Sequence, residues 1–310
     1  MAKSNRREFV YRGLAVAAAA AMGNAQAATR KFTIAFVPGS IGIKADQGRS
    51  IELAAEYGFE SVQPFGPQLL NEGVGRYVEA LKSNNLKWAA ARLSVSLHGD
   101  EDTYSSALAK LPQEAKALNQ AGVTRVGTDI SSSSDTLNYL DNFKLTSRRL
   151  RETASVLEDH GLRLGLEYLG TKRLWTARRH AFVHSMKECQ QLIAEAGKSN
   201  VGLVIDSWHW WTARDTIDDI IKLSNSEIVS ADLNDAPRGI ERELQYDNQR
   251  ELPATTGMID AKAFLGAFVK IGYDGPIRAE PFNKRLDDMD DEQASETTAA
   301  AMKKAFALVG

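Results

Sequence analysis

The sequence predicts a single-domain (β/α)8 barrel, and three observations lead to this prediction. From Lys31 onward, short apolar runs alternate with longer segments of helical period, which is the pattern of parallel βαβ units. There are eight such runs, enough to close a barrel. The 310 residues fit one barrel of about 250 residues together with a leader and loop insertions.

Each element has its own justification. The strands are rich in Val, Ile and Leu: Phe32–Val37, Ser61–Gln63, Lys87–Arg92, Thr124–Thr128, Arg163–Glu167, Gly202–Asp206, Ile228–Asp232 and Ile277–Glu280. The helices have apolar residues three or four positions apart: Gly48–Tyr57, Val74–Ser83, Ala107–Ala121, Thr146–His160, Val183–Ala196, Thr216–Leu223 and Ala261–Ile271. Glycines that can adopt positive φ end four of them: Gly58, Gly122, Gly161 and Gly272. Ser131–Ser134 is predicted to be a loop after the fourth strand.

An open doubly wound sheet would show the same alternation of strands and helices. Its dinucleotide-binding form requires Gly-x-Gly-x-x-Gly after the first strand. Here that segment is Pro38-Gly39-Ser40-Ile41-Gly42, in which the glycine spacing is wrong. The barrel is therefore the preferred interpretation.

The first 27 residues have the features of a targeting segment. Arg6-Arg7 precedes an apolar run from Gly13 to Met22, and Ala25-Gln26-Ala27 has the small-x-small spacing of a cleavage site. The segment resembles a bacterial twin-arginine signal, although Asn5 stands where Ser or Thr is usual. We expect the twin-arginine export machinery as a partner, a periplasmic location, and residues 28–310 as the barrel domain. The run is too short for a stable membrane anchor, which needs about 20 apolar residues.

The charge of the chain excludes some partners. Residues 1–27 contain four basic residues and one acidic residue, so cleavage changes the formal charge from −2 to −5. No basic patch remains to bind nucleic acid. The single cysteine, Cys189, permits no intramolecular disulfide and is expected to be a small buried apolar side chain. The sequence is compatible with a homo-oligomer.

Four consecutive predicted strands end in an acidic residue. These residues are Glu167, Asp206, Asp232 and Glu280, the last residues of strands five to eight. Barrel enzymes place their active sites at the C-terminal ends of the strands, so these side chains should converge. Without a counter-charge they would repel one another and hold protons, which a divalent cation with oxygen ligands relieves. For any one of them, helix capping or pairing with Arg or Lys is an alternative role.

The segment after the sixth strand, Asp206-Ser207-Trp208-His209, resembles a family motif. A strand-ending Asp-x-x-His is found in the xylose isomerase-like family of sugar phosphate isomerases and epimerases. The resemblance covers the chain from Phe32 to about Phe306 and implies that Glu167, Asp206 and Glu280 are metal ligands. It also implies that His209 contacts the substrate. Mn²⁺ is the expected metal, with Mg²⁺, Co²⁺ and Zn²⁺ as alternatives.

Two segments depart from the family pattern. Asp232 occupies the place of a ligand histidine on the seventh strand and is predicted to be the fourth metal ligand. As a carboxylate it adds negative charge and leaves the identity of the metal open. Arg250-Glu251-Leu252-Pro253-Ala254 resembles the family's Arg-x-x-Pro-Gly loop, so that Arg250 matches a substrate-contacting arginine. Ala254 replaces the loop glycine. A surface arginine paired with Glu251 or Asp247 is the alternative for Arg250.

Aromatic and basic residues next to these segments are candidates for the substrate pocket. Trp208, Trp210 and Trp211 follow Asp206, and one of them, Trp208, is predicted to stack on a sugar ring. Lys172, Arg173 and Trp175 follow Glu167 and could shape substrate choice. His98, His180 and His184 are expected to be solvated.

The resemblance implies proton transfer next to a carbonyl group. The predicted function is a divalent-metal-dependent isomerase or epimerase that acts on a non-phosphorylated sugar or keto-sugar through an enediolate. Glu167 and Glu280 would remove and return the proton. One alternative is a dehydratase or lyase that eliminates a β-substituent from a keto-inositol or 3-keto-glycoside. Another is a non-catalytic periplasmic sugar-binding barrel.

Overall fold

Parallel strands form a closed barrel at the centre of the protein, which the computed structural model describes from residue 29 to residue 310. The barrel strands are β1 Thr33–Phe36, β2 Ser61–Val62, β3 Lys87–Trp88, β4 Ala91–Arg92, β5 Arg125–Asp129, β7 Arg163–Glu167, β9 Val201–Asp206, β10 Ile228–Leu233 and β11 Pro276–Ala279. Two further short strands, β6 Ser133–Ser134 and β8 His180–Ala181, pair outside the barrel. The predicted fold class is confirmed.

The barrel closes through a strand that is broken in the middle. The sheet order is β3-β2-β1-β11-β10-β9-β7-β5-β4, so its two ends are β3 and β4, which are adjacent in the chain. The amide of Ala89 donates to the carbonyl of Val62 in β2, and the amide of Leu93 donates to the carbonyl of Gly127 in β5. The predicted third strand, Lys87–Arg92, is therefore one barrel strand that changes pairing partner at its centre.

Helices surround the barrel and pack their apolar faces against it. They span Gln47–Glu56, Gly66–Glu72, Val74–Ser83, Glu101–Gln120, Tyr139–Glu158, Lys172–Trp175, Met186–Ala196, Ser207–Thr212, Ile217–Ile221, Ala261–Lys270, Lys284–Asp287 and Asp291–Phe306. Two begin earlier than predicted because side chains cap them. Asp100 accepts from the amide of Thr103 at 2.8 Å, and Asn138 accepts from that of Asp141 at 3.0 Å.

Glycine ends the helices at the predicted junctions. The φ angles are +73° at Gly58, +83° at Gly122, +69° at Gly161 and +68° at Gly272, all in the left-handed region that favours glycine. Cys189 is fully buried, as predicted. These junctions return the chain to the base of the barrel, so that each strand ends on the opposite, C-terminal face.

The Ser131–Ser134 segment differs from its prediction. It was expected to be a loop, but β6 pairs antiparallel with β8, with Ser133 opposite Ala181 and Ser134 opposite His180. The pairing ties the loop after β5 to the loop after β7. Both segments lie on the face where the strand-end carboxylates are found.

The predicted export signal, residues 1–27, lies outside the described residues. Within residues 29–310, no helix combines the length and the apolar character needed to cross a membrane.

Candidate active site

Four carboxylates converge at the C-terminal end of the barrel. Glu167 and Asp206 are the last residues of β7 and β9, Asp232 lies one residue before the end of β10, and Glu280 directly follows β11. One oxygen atom from each side chain lies within 4.8 Å of those from the other three. The structure thus brings together the four acidic residues that the sequence indicated.

Glu167 is the least compensated of the four. Its exposed fraction is 7%, and its Oε1 atom has no hydrogen-bond partner among residues 29–310. Burial and repulsion by the neighbouring carboxylates raise the pKa of Glu167 well above its usual value. Burial also raises the pKa of Glu280 to about 8, although Arg278 opposes this shift. In the protein without a cation, this environment therefore favours the protonated form of both carboxyl groups.

Asp206 is held by a closed set of hydrogen bonds. Its Oδ1 accepts from the amide of Trp208 at 2.6 Å, and Nη1 of Arg250 donates to its Oδ2 at 2.7 Å. The Asn234 amide group donates to both oxygens, at 3.1 and 3.2 Å. The carbonyl of the same Asn234 side chain accepts from the backbone of Glu280 at 2.8 Å. Asn234 therefore links the Asp206 carboxylate to the backbone of Glu280.

Arg250 is buried at the centre of this network. Its Nη1 also donates to the carbonyl and to Oε2 of Glu280, at 3.1 and 3.2 Å. Its Nη2 and Nε donate to Oδ1 and to the carbonyl of Asp247, at 2.9 and 2.8 Å. The guanidinium lies between the rings of Trp208 and Phe282, 5.5 and 5.1 Å from their centroids. Pairing with Asp247 was one alternative, but the arginine is internal rather than on the surface.

His209 lies beside Arg250 and is also buried. Its Nδ1 accepts from the amide of Gly170 at 3.2 Å. Its Nε2 is 3.2 Å from Nη2 of Arg250 and 3.5 Å from Oδ1 of Asp247. Burial lowers the pKa of His209 below its usual value, although the charge of Asp206 opposes this shift.

Asp232 is bound to an arginine that was not among the predicted site residues. Nε and Nη2 of Arg278 donate to Oδ1 and Oδ2 of Asp232, at 2.7 and 2.9 Å. Nη2 of Arg278 also donates to Oε1 of Glu280 at 2.5 Å. Asp232 and Arg278 are register partners on β10 and β11, so their side chains lie on the same side of the sheet.

A cavity of about 50 Å³, partly open to solvent, lies below the carboxylates inside the barrel. Glu167, Asp232 and Arg278 line one part of it. Barrel interiors are usually filled by bulky branched side chains. Here many lining residues are small, among them Ala35, Ala89, Ala91, Gly127 and Ser230. The small side chains leave room for a small polar ligand next to the acidic cluster.

The donor set fits a divalent cation. Four carboxylates face two guanidinium groups, from Arg250 and Arg278, which leaves two uncompensated negative charges in the cluster. Oxygen ligands of this kind suit Mn²⁺ and Mg²⁺. A second arrangement, with Glu167, Asp206 and His209, also brings three ligand atoms within 4.8 Å and would suit Zn²⁺ or Co²⁺. Glu167 belongs to both sets, and its Oε1 is a buried atom without a hydrogen-bond partner in residues 29–310.

The tryptophans occupy other positions than expected. One of the three was expected to line the pocket, but Trp208, Trp210 and Trp211 are all buried and none lines the cavity. Trp208 donates from Nε1 to Oγ1 of Thr171 at 2.9 Å and supports Arg250 with its ring. The Trp208 ring packs beneath the polar side chains at the strand ends because its large apolar surface is buried there.

The loop after β7 lies on the same face of the barrel. Lys172, Arg173 and Trp175 form a short helix there, and the Arg173 guanidinium lies 3.9 Å from the Tyr246 ring centroid. The Trp175 ring stacks on His184 at 4.7 Å. Neither side chain lines the cavity, so these residues border the site rather than form it.

Three functional neighbours were not predicted from the sequence: Asn234, Asp247 as a buried partner, and Arg278. A signal existed for Arg278, because it precedes Glu280 by two residues on a strand and must point to the same side. Asn234 follows Asp232 by two residues and carries the same signal. Asp247 has no such signal, since it lies in the long loop after β10.

Comparisons with known proteins agree with this architecture. The model of the family described as xylose isomerase-like TIM barrel matches residues 51–305. Inosose isomerase from Bacillus velezensis is 22% identical over 271 residues, which are 83% of this chain and 92% of that protein. A 3-dehydroshikimate dehydratase from Pseudomonas aeruginosa is 29% identical over 136 residues, 44% of this chain but 20% of that protein.

Solved structures with the same fold cover most of both chains. A xylose isomerase domain protein from Alicyclobacillus acidocaldarius has a TM-score of 0.79 and 26% identity, covering 91% of this chain and 99% of that one. The IolI protein with a bound zinc atom has a TM-score of 0.76 and 17% identity, with 90% and 99% covered. D-psicose 3-epimerase from Clostridium cellulolyticum has a TM-score of 0.66 and 18% identity, with 86% and 94% covered. The chain belongs to the xylose isomerase-like TIM barrel family.

Proposed function

We propose that this protein is a divalent-metal-dependent isomerase or epimerase that acts on a non-phosphorylated sugar or keto-sugar. The observation that carries the proposal is the pair Glu167 and Glu280. Both are buried, both have a raised pKa, and their carboxylate oxygens lie within 4.8 Å of each other at the end of the cavity. Inosose isomerase, a relative over 83% of this chain, supports the same reaction class.

The roles of the two glutamates follow from their positions. One removes the proton next to the substrate carbonyl, and the other returns it to the same or the neighbouring carbon. Return to the same carbon gives epimerisation, and return to the neighbouring carbon gives isomerisation. A cation held by Glu167, Asp206 and Glu280 would supply Lewis-acid stabilisation of the enediolate, with Mn²⁺ as our preferred metal. Arg250 and Asn234 hold Asp206 and Glu280 in place throughout.

Proton exchange with solvent tests the proposal. Protein supplied with Mn²⁺ is incubated in D₂O with unphosphorylated ketoses, keto-inositols and 3-keto-glycosides, and deuterium incorporation is followed by NMR. We expect exchange at the carbon next to the carbonyl, with an isomer or epimer as product. Exchange that is absent with every substrate, or unchanged in Glu167→Gln, would contradict the proposal.

A second candidate is a dehydratase or lyase. It is favoured by the relative named 3-dehydroshikimate dehydratase, although that alignment covers 44% of this chain. The same enediolate would then expel a substituent β to the carbonyl. Loss of the β-substituent in the D₂O experiment identifies this outcome. Sugar binding without exchange or elimination would identify a binding barrel.

We also propose that the protein is exported by the twin-arginine route. The support is the sequence of residues 1–27, with Arg6-Arg7, the apolar run and the cleavage site. The test is the location of the full-length chain after cell fractionation. Replacement of both arginines by lysine should keep the protein in the cytoplasm at its uncleaved mass. A periplasmic protein of the cleaved mass from that variant would overturn the proposal.

A further inference from the structure

Asp232 and Arg278 form a buried ion pair with two hydrogen bonds. Both oxygens of Asp232 accept from Arg278, at 2.7 and 2.9 Å, and the Asp232 side chain is 1% exposed. A two-point contact between a guanidinium and a carboxylate is the strongest form of charge-assisted hydrogen bond in proteins. Asp232 thus differs from Glu167, whose Oε1 has no partner among residues 29–310.

The pair also changes the charge of the cluster. Asp232 and Arg278 are together neutral, so they add no net attraction for a cation. The remaining groups, Glu167, Asp206 and Glu280 with Arg250, carry a net charge of −2, which one divalent cation balances. Coordination by Asp232 would break a two-point contact with one guanidinium in a buried site, which costs several kcal/mol. Asp206 and Glu280 accept from arginines only through single-point contacts.

Arg278 retains one donor group for a ligand. Its Nε and Nη2 are occupied, whereas Nη1 has no hydrogen-bond partner in residues 29–310. The side chain is 22% exposed and lines the cavity together with Glu167. A guanidinium held in this position, beside the proton-transferring carboxylate of Glu167, can stabilise negative charge as it develops on a substrate oxygen.

We propose that Asp232 is not a metal ligand but the residue that positions Arg278, and that Arg278 donates from Nη1 to the carbonyl oxygen of the substrate. This inference rests on the proposed function and deepens it. The metal centre then has three carboxylate ligands, Glu167, Asp206 and Glu280. Arg278 becomes a catalytic residue, since it contacts the oxygen on which the enediolate charge forms.

Metal affinity tests the first half of the proposal. Mn²⁺ binding is measured by isothermal titration calorimetry and by Mn²⁺ EPR. The double variant Asp232→Asn/Arg278→Gln, which keeps the net charge of the cluster, should retain the wild-type affinity within about threefold, whereas Glu167→Gln should lose at least about 100-fold, as expected for a ligand. Arg278→Gln should bind Mn²⁺ more tightly, because Asp232 is then free to coordinate. Equal losses in this double variant and in Glu167→Gln would overturn the proposal.

A small enediolate analogue tests the second half. Glycolohydroxamate is titrated into the Mn²⁺-loaded wild type and into the double variant Asp232→Asn/Arg278→Gln, in which the net charge is unchanged. Loss of a hydrogen bond from a charged donor should weaken the analogue by about 10- to 100-fold without a comparable change in Mn²⁺ affinity. Full retention of the analogue by the double variant would overturn the role of Arg278.

A matched double variant serves as the control. Arg125 and Asp274 form another arginine–aspartate pair, 2.7 Å apart, at the opposite end of β5 and β11. Asp274→Asn/Arg125→Gln should leave both affinities at wild-type values. Equal weakening of the analogue in the two double variants would indicate a general structural effect and would overturn the proposal.

Failure of this proposal and failure of the proposed function give different results. Normal D₂O exchange, with Mn²⁺ affinity lost equally in Asp232→Asn/Arg278→Gln and Glu167→Gln, would overturn the assignment of Asp232 and leave the reaction intact. Absent exchange with the expected affinity changes would overturn the reaction and support the assignment. A wild-type protein that binds no Mn²⁺ would overturn both.

Discussion

The two halves of the carboxylate cluster differ in how completely their polar atoms are bonded. On one side, Asp206 accepts from Trp208, Asn234 and Arg250, and it is fully buried. On the other side, Glu167 has an oxygen without a partner in residues 29–310 and lines the cavity. The first half has the properties of a scaffold, and the second has those of a reactive centre.

This difference indicates how one fold can combine stability with reactivity. Buried charges that are fully hydrogen-bonded hold a unique geometry, and their loss is costly. A buried carboxylate without a partner is destabilising in the empty protein but available to a cation or a proton. The structure confines that cost to Glu167, at the edge of the cavity.

The largest expected effect concerns activity at the reactive half. Glu167→Gln removes a proton carrier and a metal ligand, so proton exchange should fall by at least about 10³-fold. The metal-free variant should nevertheless be as stable as the wild type or more stable, because an uncompensated charge is removed. Deuterium incorporation and urea unfolding measure the two effects. A variant that loses stability would contradict the division into two halves.

At the scaffold half, the main expected effect is on stability. Arg250→Met should lower the free energy of unfolding by about 3–5 kcal/mol, because Asp206 and Asp247 lose their buried partner. The control is Arg214→Met, which removes an exposed ion pair with Glu243 and should cost less than about 1 kcal/mol. Similar losses in the two variants, measured by urea unfolding, would argue against a buried network.

Metal removal should lower the stability of the folded protein through the loss of metal binding at Glu167. Mn²⁺ at about 100 times its Kd should stabilise the folded protein by about 2.7 kcal/mol, and a chelator should remove this gain. Glu167→Gln should show no stabilisation at the same Mn²⁺ concentration. Thermal unfolding with and without chelator provides the measurement. A wild-type Tm that does not respond to Mn²⁺, Mg²⁺, Co²⁺ or Zn²⁺ would exclude the metal site.

The pH dependence of stability should come from Glu280 and Glu167. The pKa of Glu280 is raised to about 8 in the folded protein, so above pH 4.5, its ordinary value, the folded state binds more protons than the unfolded state. The stability of the metal-free protein should therefore fall as the pH rises towards 8, by up to about 1.4 kcal/mol per pH unit for each such group. Glu280→Gln should make this slope shallower in urea unfolding at pH 5 to 8. An unchanged slope would show that Glu280 does not titrate there.

The sequence predicted the barrel and the positions of the four carboxylates because both depend on local pattern. Apolar runs with acidic ends mark strands and their C-terminal ends, and Arg163–Glu167 was placed without error. The hydrogen-bond partners of these carboxylates were harder to predict from the sequence. Arg250 approaches Asp206 through a loop of 16 residues between Leu233 and that arginine, whose path has no periodic signal. The role of Arg278 as the partner of Asp232 is evident only from the register of β10 and β11.

The smallest expected effect concerns the loop that carries Arg250. Asp235 accepts from the amides of Thr256, Gly257 and Ile259 and so fixes this loop from below. Within it, Ala254 has a φ of +54°, a left-handed conformation that costs an L-residue about 1–2 kcal/mol. Ala254→Gly relieves this strain but gives the unfolded chain more freedom, so the net gain in stability should be at most about 1 kcal/mol. Since Arg250 is held by Asp206, Glu280 and Asp247 as well as by the loop, proton exchange should stay at the wild-type rate. Urea unfolding and D₂O exchange measured side by side would decide this, and a drop in exchange would show that the strained turn sets the position of Arg250.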